Sequence, residues 1–319
     1  MSQNGEMTIR FHGVRGSIPA PAPQNMRYGG NTSCVEVRCN NQLLILDAGS
    51  GLRLLGDELL RDSQANPVEA TLLLSHTHWD HIQGLPFFTP GYSPKNRITI
   101  FGACERVDQL QLALVSQMTP SHFPVGLEQM RGLGKVRELS PGATKLGHFL
   151  VRTTQLNHPG GCTGFRIESV AGHVAYLPDH EPYRSNGVQE ANALQQDIIE
   201  FVRGADLLIL DTQYTADEYS GRVGWGHGCL PDSVQLAIDA GVRRLFLFHH
   251  DPTHDDQQLD QIVETARAMA VGTPLLIEAA SEREITSLTS PNVAPIPAIG
   301  LLPVQPIGRA SVAPNQSVA

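Results

Sequence analysis

The sequence predicts an α/β layered fold, and three observations support this prediction. Short apolar runs recur along the chain and end in turn or polar residues, as buried strands do. Longer stretches with a helical spacing of apolar residues lie between them, and strands and helices alternate in the second half. Several apolar runs end in an aspartate or a histidine, which indicates a shared site at one edge of a sheet.

Ten apolar runs have the length and composition of strands. Each holds between four and eight residues, which is shorter than a typical helix. In chain order they are TIRF (8–11), CVEVRC (34–39), LLILDAG (43–49), TLLLSH (71–76), ITIFG (98–102), FLVRTTQL (149–156), GFRI (164–167), HVAYLPD (173–179), DLLILD (206–211) and RLFLFHH (244–250).

Four longer stretches have the apolar spacing of helices. They are CERVDQLQLALVSQM (104–118), NALQQDIIEFVRG (192–204), LPDSVQLAIDAG (230–241) and DDQQLDQIVETARAMA (255–270). The third is expected to begin near Asp232, a residue type favoured at N-caps, and to end at Gly241.

The length of 319 residues suits one large domain or two modest ones. From about Leu288 the sequence becomes rich in Pro, Ala, Ser and Val, and Arg309 is its only charged residue. Such a composition is typical of a tail that lies on the surface or is disordered. We therefore predict one domain over residues 1–287 and a Pro/Ala-rich C-terminal tail over residues 288–319.

The charge balance argues against a surface for long nucleic acid. The chain has 23 Lys+Arg against 32 Asp+Glu, a net charge of −9, and no dense basic run. Long nucleic acid normally requires a basic stripe, because phosphates supply much of the binding energy.

The cysteines and the apolar segments indicate a cytoplasmic protein. Five scattered cysteines, an odd number, are typical of reduced thiols and not of a disulfide framework. The N-terminus lacks the apolar stretch of a signal peptide, and no run of about 18 apolar residues would span a membrane.

The segment LLLSHTHWDHIQGLPFF (72–88) places His76, His78, Asp80 and His81 on one short turn. Polar side chains beside a core need partners. Neutral imidazoles and carboxylates suit zinc and similar metals, so a metal site is favoured over a loop that merely happens to be polar. Because four side chains of one turn cannot all surround a single ion, more ligands are expected from elsewhere in the chain.

Other apolar runs also end in acids or histidines, which α/β folds gather at one sheet edge. These residues are Asp47, His76, Asp179, Asp211 and the pair His249 and His250. His158, in LNHPGG, and His227, in GWGHGCL, lie on glycine-bearing turns, where backbone can approach a ligand closely.

SHTHWDH matches the H-x-H-x-D-H signature of the metallo-β-lactamase fold superfamily, and later residues fit in chain order across residues 7–285. The segments DLLILDTQYT and GWGHGCLPDSVQLAIDAGVRRLFLFHHDP resemble the branch that holds ribonuclease Z and small cyclic-phosphate and cyclic-nucleotide phosphodiesterases. GVRGSIPAPAPQNMRYGGNTSCVEV (13–37) resembles the opening hairpin of phosphodiesterase-like members. The resemblance implies an αββα sandwich with a dinuclear metal site between its two sheets.

The resemblance also implies two divalent metal ions, with zinc expected first and manganese or iron accepted by the same ligands. The implied ligands are His76, His78 and His158 for the first metal, Asp80, His81 and His249 for the second, and Asp179 as the bridge. Two metals about 3.5–4 Å apart can clamp a phosphodiester, with a metal-bridging hydroxide as the nucleophile.

Catalytic roles are implied for Asp80, His227 and Asp211. His227 would protonate the leaving oxygen, and Asp211 would raise its pKa and fix its orientation. The alternative is a turn histidine that Asp211 holds for structure alone. Asp47 is expected either to orient a ligand histidine or to cap its own turn.

Arg15 and Asn31 lie in glycine-rich turns. They are candidates for contacts with a substrate phosphate, although solvated turn residues fit the pattern equally well. Trp79 lies inside the histidine turn, and its ring is expected to pack against the protein.

Two positions leave the assignment open. His249 and His250 are adjacent candidates for one ligand role, and we predict His249 because it directly follows the apolar strand. His180 and Glu181, which follow Asp179, depart from the family pattern beside a bridging ligand.

The leading hypothesis is a metal-dependent phosphodiesterase acting on a small substrate, such as a cyclic nucleotide or another cyclic phosphate. One alternative is a tRNA 3′-processing endonuclease like ribonuclease Z. The acidic balance argues against it, and residues 130–142 do not resemble the long arm that some ribonuclease Z proteins use to grip tRNA. Hydrolysis of a lactone, thioester or β-lactam, and a non-catalytic metal-holding sensor, are further alternatives. The expected partner is a small phosphodiester, and a homodimer is open because dimers are common in this branch.

Overall fold

Two seven-stranded sheets form the protein, with helices covering the outer face of each. The computed structural model describes residues 5–64, 66–102, 107–139, 142–184 and 189–289. The predicted αββα sandwich is confirmed.

The first sheet comes from the N-terminal half of the chain and one late strand. Its strands are β1 (Glu6–Gly13), β2 (Cys34–Cys39), β3 (Gln42–Leu46), β4 (Glu69–Leu74), β5 (Arg97–Gly102), β6 (Leu133–Glu138) and β14 (Ile285–Thr289). They lie in the order β14-β1-β2-β3-β4-β5-β6. The pairs from β14 to β3 are antiparallel, and those from β3 to β6 are parallel.

The second sheet has the same mixed character. Its strands are β7 (Ala143–Leu146), β8 (Phe149–Leu156), β9 (Cys162–Ser169), β10 (Gly172–Leu177), β11 (Leu207–Asp211), β12 (Arg244–Phe248) and β13 (Leu276–Ala279). They lie in the order β13-β12-β11-β10-β9-β8-β7. The strands β7 to β10 form an antiparallel meander, and β10 to β13 are parallel.

Helices pack against the outer faces of both sheets. The α-helices of the described residues are α1 (Gly51–Asp62), α2 (Trp79–Ile82), α3 (Val107–Ser116), α4 (Gln189–Val202), α5 (Ala216–Tyr219), α6 (Leu230–Asp239) and α7 (Asp256–Met269), and all but α5 contribute to the outer packing. Apolar residues of α1 and α3 share a core with the first sheet. Those of α4, α6 and α7 share one with the second sheet.

The four predicted helices are present as α3, α4, α6 and α7. Residues 104–106, the predicted start of the first, lie outside the described residues. The helix α6 begins earlier than the sequence suggested, because its N-cap is Cys229 and Asp232 already lies in the first turn. Pro231 fits this early start, since proline is favoured at the first positions of a helix.

Aromatic side chains fill the layer between the two sheets. Phe11 on β1 lies 5.0 Å from Phe246 on β12 between ring centroids, and both are fully buried. Tyr176 on β10 and Phe248 on β12 extend the same cluster. This layer holds the two sheets together and sets how their strand ends meet.

The ten predicted strands are all present, but β6, β7, β13 and β14 were not predicted. Each of these four lies at the edge of a sheet. Their side chains are largely exposed or half-buried, as in LGKVRE of β6, where none is buried. Such strands lack the apolar run by which a buried strand is recognised.

The first sheet extends into the predicted tail. Leu288 pairs with Met7, and Thr289 pairs with Glu6, so β14 runs two residues past the predicted boundary after residue 287. The remainder of the tail, residues 290–319, lies outside the described residues. Within the described part of the chain, every helix is too short or too polar to cross a bilayer.

We expect Phe246→Ala to lower the free energy of unfolding by about 3–5 kcal/mol, because it empties a fully buried ring position. Leu276→Ala is the matched control, since Leu276 lies on the neighbouring strand β13 and is 57% exposed. Its effect should stay within about 0.5 kcal/mol. Urea denaturation followed by circular dichroism measures both, and equal effects would contradict the proposed packing of the layer between the sheets.

Candidate metal centre

The predicted ligands come together at one edge of the sandwich, where strands of both sheets end. His76 and His78 follow β4, and Asp80 and His81 lie in the short helix α2. The second sheet supplies three more, which are His158 after β8, Asp179 after β10 and His249 after β12. Each of these residues therefore lies in or just after a turn at the end of a strand. There the sheet fixes the position of the side chain, and the hydrogen bonds between strands are not interrupted.

These side chains form two groups with ligand atoms within 4.8 Å of one another. The first contains His76, His78, His158 and Asp179, and the second contains Asp80, His81 and His249. The two groups match the division of ligands that the family resemblance implies. The role of each residue as a metal ligand stays a prediction.

Asp179 lies between the two groups, and its two oxygens face different sides. Its Oδ2 lies 3.6 Å from His76 Nε2 and 3.5 Å from His158 Nε2. Its Oδ1 lies 3.0 Å from His81 Nε2 and 3.4 Å from His249 Nε2. A carboxylate with this placement is suited to bridging two cations.

The histidines are oriented by hydrogen bonds at the ring nitrogen that faces away from the centre. His81 Nδ1 donates to Asp47, His158 Nδ1 to the Gly226 carbonyl, and His249 Nδ1 to Gln213, at 2.8, 2.8 and 2.9 Å. The Nε2 atoms of these three rings consequently point inward. Those of His158, His81 and His249 lie 2.9, 3.0 and 3.1 Å from His78 Nδ1, Asp179 Oδ1 and Asp80 Oδ2, respectively. Support of this kind is common around metal-binding histidines.

Three of the candidate histidines favour the neutral form, which is the form that binds a metal. Burial lowers the pKa of His76 well below its ordinary value, and it also lowers those of His78 and His158. The Nε2 atom of His76 is buried and has no hydrogen-bond partner among the described residues. A neutral, unsatisfied imidazole nitrogen is a donor that a divalent metal can use.

The second group is rich in negative charge. Burial lowers the pKa of His81, but Asp179, Asp80 and Asp47 outweigh it and raise that pKa well above its ordinary value. Burial raises the pKa of Asp179, yet His249, His81 and other imidazoles hold it well below its usual range. Three carboxylates around one imidazole indicate a place that favours a cation, and together the two clusters are suited to divalent metals.

The choice between His249 and His250 follows from where their rings point. His249 Nε2 lies 3.1 Å from Asp80 Oδ2, inside the centre. His250 Nε2 instead donates to the Ala280 carbonyl at 2.9 Å, and burial lowers its pKa to about 3. The backbone of Gly16 packs closely against the His249 ring. A Cβ at this position would lie 2.4 Å from His249 Nδ1, so a larger residue would displace the ring.

His227 and Asp211 meet beside the same centre. His227 Nδ1 donates to Asp211 Oδ2 at 3.0 Å, and its ring stacks on that of His249 with 4.9 Å between centroids. Burial lowers the pKa of His227, but Asp211, followed by Asp179, raises it to about 9 overall. His227 also forms a third group with Asp179 and His249, whose ligand atoms lie within 4.8 Å of one another.

Three expectations from the sequence are wrong in the structure. Arg15 is fully buried and donates to the carbonyls of Gly29, Asp251 and His254, so it cannot meet a substrate phosphate. The Asn31 side chain is likewise taken up by hydrogen bonds with Glu282 and Ser50. The Trp79 ring does not pack against the protein, because the residue is 69% exposed.

The sequence did not reveal several supporting groups. Gln213, Ser75, Tyr176 and the Gly226 carbonyl orient the candidate ligands or Asp47. These are common residue types, and only their position in the fold distinguishes them. The proximity of Gln213 to the acidic strand end at Asp211 is the one signal that could have drawn attention to it.

Comparison with known proteins places the chain in a family. A family model described as a β-lactamase superfamily domain matches residues 43–250. Ribonuclease Z of Thermoplasma acidophilum is 27% identical over 299 residues, covering 81% of this chain and 90% of that protein. The metallo-β-lactamase fold protein YhfI of Bacillus subtilis superposes with a TM-score of 0.64 at 19% identity, covering 89% of this chain and 99% of that one. A diphosphatase of the PhnP family gives a TM-score of 0.60 at 16% identity, covering 88% and 97%.

The chain belongs to the β-lactamase superfamily, because the family model spans more than half of it. Within the superfamily, the similarity to ribonuclease Z confirms the predicted likeness to that branch. The predicted class of metal-dependent hydrolase is confirmed as well.

We expect His249→Ala to lower the metal content of the purified protein, because it removes one of three side chains of the second group. His250→Ala should keep the metal and lower only the stability, since its imidazole bonds the Ala280 carbonyl. Elemental analysis after gel filtration measures the metal-to-protein ratio of both variants. Loss of metal from His250→Ala alone would mean that His250 is the ligand.

Proposed function

We propose that the protein is a metal-dependent phosphodiesterase that acts on a small substrate, such as a cyclic nucleotide or another cyclic phosphate. The observation that carries the proposal is the pairing of His227 with Asp211 at 3.0 Å, beside two ligand groups that Asp179 contacts with its two oxygens. A phosphodiester needs its charge neutralised and its leaving oxygen protonated, and this arrangement supplies residues for both.

In this proposal, two divalent ions occupy the two groups. Zinc is the first candidate, because imidazole and carboxylate ligands suit it, and manganese and iron are accepted by the same donors. When bound, the ions would neutralise phosphate charge and lower the pKa of an attacking water. Asp80 belongs to the second group, and its Oδ2 also accepts a hydrogen bond from the backbone N–H of Ser17 at 2.8 Å, which fixes its direction.

His227 acts as the general acid. Its Nδ1 is committed to Asp211, so a proton on Nε2 is available to the departing alkoxide. Asp211 is fully buried, and it also accepts hydrogen bonds from the backbone N–H groups of His180 and Gln213. It therefore cannot turn away, and the imidazole keeps one orientation through the reaction.

Two exposed tryptophans support a small substrate with a planar ring. Trp79 and Trp225 are the only tryptophans of the chain, they are 69% and 59% exposed, and each lies within two residues of a site histidine. Stacking of a base on an aromatic ring contributes about 1–3 kcal/mol. The Arg222 guanidinium lies 6.0 Å from the Trp225 ring and 4.9 Å from the Tyr214 ring, and it donates to the Glu218 carbonyl at 3.0 Å. It places a fixed positive charge next to Trp225, which suits a substrate anion.

A second candidate function is tRNA 3′-end processing, which the similarity to ribonuclease Z favours. Two observations weigh against it. The net charge is −9, and the segment that does not resemble a tRNA-gripping arm instead contributes Leu133–Glu138 as an edge strand of the first sheet. Hydrolysis of a lactone or thioester has no specific support in the geometry.

The cellular setting belongs to the same proposal. The four described cysteines are free and buried, which is consistent with a cytoplasmic protein. A homodimer remains a prediction.

The proposal is tested with the metal-free protein, prepared by chelation, and a panel of phosphodiesters with zinc, manganese or iron added back. We expect metal-dependent hydrolysis of bis(p-nitrophenyl) phosphate and of at least one cyclic nucleotide. Substrates with a base should have a lower KM than alkyl esters with the same leaving group. Salt-sensitive, submicromolar binding and cleavage of precursor tRNA, with no turnover of small esters, would favour the second candidate. No turnover by any metal form would leave a metal-holding sensor.

We expect His227→Ala to keep its metals and fold while losing about 10²–10⁴-fold in kcat, the usual scale for general acid catalysis. The loss should shrink for p-nitrophenolate, which departs without a proton. Steady-state rates on a series of leaving groups measure this dependence. Equal losses across the series would show that His227 binds the phosphate and does not act as the acid.

A further inference from the structure

The side chain of Glu181 is buried beside the centre but points away from the candidate metal ligands. It is 6% exposed and lies two residues after Asp179. Its Oε1 accepts hydrogen bonds from the Tyr219 hydroxyl and the Gly224 N–H, both at 2.7 Å. Its Oε2 accepts one from the Gly226 N–H at 2.8 Å. One carboxylate thus holds two backbone positions of the same turn.

This turn, residues 222–227, carries two functional groups. His227 ends it, and the Gly226 carbonyl accepts the hydrogen bond from His158 Nδ1 at 2.8 Å. A shift of the turn would therefore move the proposed acid and release the ring of a candidate metal ligand together. The Glu181 carboxylate is placed to prevent both.

The turn needs an external anchor because its own sequence supplies little rigidity. Gly224 and Gly226 both have φ of 86°, a conformation that favours glycine, and the neighbouring Val223 and Trp225 are exposed. A Cβ at Gly226 would lie 2.5 Å from His158 Nδ1, so only glycine fits this approach. Glycine loses more backbone entropy on ordering than any other residue, so a glycine-rich turn is held mainly by its contacts.

Glu181 is itself fixed from the other side. Its backbone N–H donates to the Asn157 carbonyl at 2.9 Å, and Asn157 Nδ2 donates to the Glu181 carbonyl at 3.0 Å. Asn157 directly precedes His158. The segments that carry Asp179, His158 and His227 are thus joined through this one residue.

We propose that Glu181 is a positioning residue, which holds the 222–227 turn so that His227 faces the leaving oxygen and His158 keeps its orientation. Its catalytic consequence rests on the proposed phosphodiesterase function, whereas the anchoring of the turn does not. The departure of Glu181 from the family pattern beside the bridging aspartate then has a physical role. A glutamine at this position has one acceptor oxygen and one NH₂ group. Because the two glycine N–H groups donate to different oxygens of Glu181, glutamine would lose one of these two hydrogen bonds.

The first test observes the turn directly. In a Trp79→Phe background, Trp225 is the only tryptophan, so its fluorescence reports on the turn. Adding Glu181→Gln should increase acrylamide quenching of Trp225 and shift its emission. Asp206→Asn is the matched control, because Asp206 also accepts from a backbone N–H, that of His173, at the opposite end of β11 from Asp211. It should leave the fluorescence unchanged.

The second test measures catalysis with the full-length protein loaded with metal. Glu181→Gln should lower kcat by up to about 100-fold on poor leaving groups, the scale of a small misplacement of a catalytic group. The loss should be smaller on p-nitrophenyl esters, as for His227→Ala, and KM should change little. Tyr219→Phe, which removes only one donor to Oε1, should show a weaker form of the same pattern. It serves as the test if Glu181→Gln does not fold.

The outcomes separate the two proposals. Unchanged Trp225 quenching in Glu181→Gln would overturn the anchoring role. An equal kcat loss on all leaving groups would overturn its catalytic consequence, the positioning of His227 as the acid. If the wild-type protein hydrolyses no phosphodiester, the proposed function fails, and the fluorescence test still decides whether Glu181 holds the turn.

Discussion

The Asp47 carboxylate joins the two sheets at the edge where the candidate metal centre forms. It follows β3 of the first sheet and accepts a hydrogen bond from the Tyr176 hydroxyl on β10 of the second, at 2.8 Å. It also accepts from the N–H and hydroxyl of Ser75 and from His81 Nδ1. A fully buried charge is costly unless several donors surround it, so these partners must all be in place at once.

This constraint extends outward from Asp47. Its backbone has φ of 60°, an uncommon value for a residue other than glycine, and the surrounding bonds hold it there. Ser75 precedes the histidine turn and also lies 3.1 Å from His76 Nδ1, so one carboxylate influences the rings of both His76 and His81. The sequence left open whether Asp47 orients a histidine or caps a turn, and the structure shows the hydrogen bond to His81.

Much of the fold could be predicted because most of its strands are buried. A run such as LLIL has few alternatives to a place in the core, and the ten such runs are strands. The edge strands were missed because exposure on one side removes the apolar signal, as in LGKVRE. Three helices were missed. The helix α1 contains Gly51 and Gly56, which lower helix propensity, and the four residues of α2 or α5 are too few to show a helical period.

The part of the candidate site that could be predicted consists of histidines and aspartates, which are uncommon in such dense clusters. Three histidines and an aspartate within six positions are conspicuous, whereas Gln213 or a glycine carbonyl is not. Arg15 was misassigned for a related reason. A guanidinium in a glycine-rich turn is a plausible phosphate contact when only the sequence is known. In the structure it is buried and donates hydrogen bonds to three backbone carbonyls. Sequence identifies the groups that could react, and only packing decides which way they face.

Each of the two candidate ligand groups draws on both sheets. His76 and His78 come from the first sheet and His158 from the second, and Asp80 and His81 likewise face His249 across the sandwich. Neither half of the chain therefore contains a complete binding site. An ion held in either group would act as a cross-link between distant parts of the polypeptide, much as a disulfide does in secreted proteins. The protein would bind the ion only when the two sheets are packed together. A higher concentration of free metal would therefore stabilise the folded sandwich against separation of its sheets.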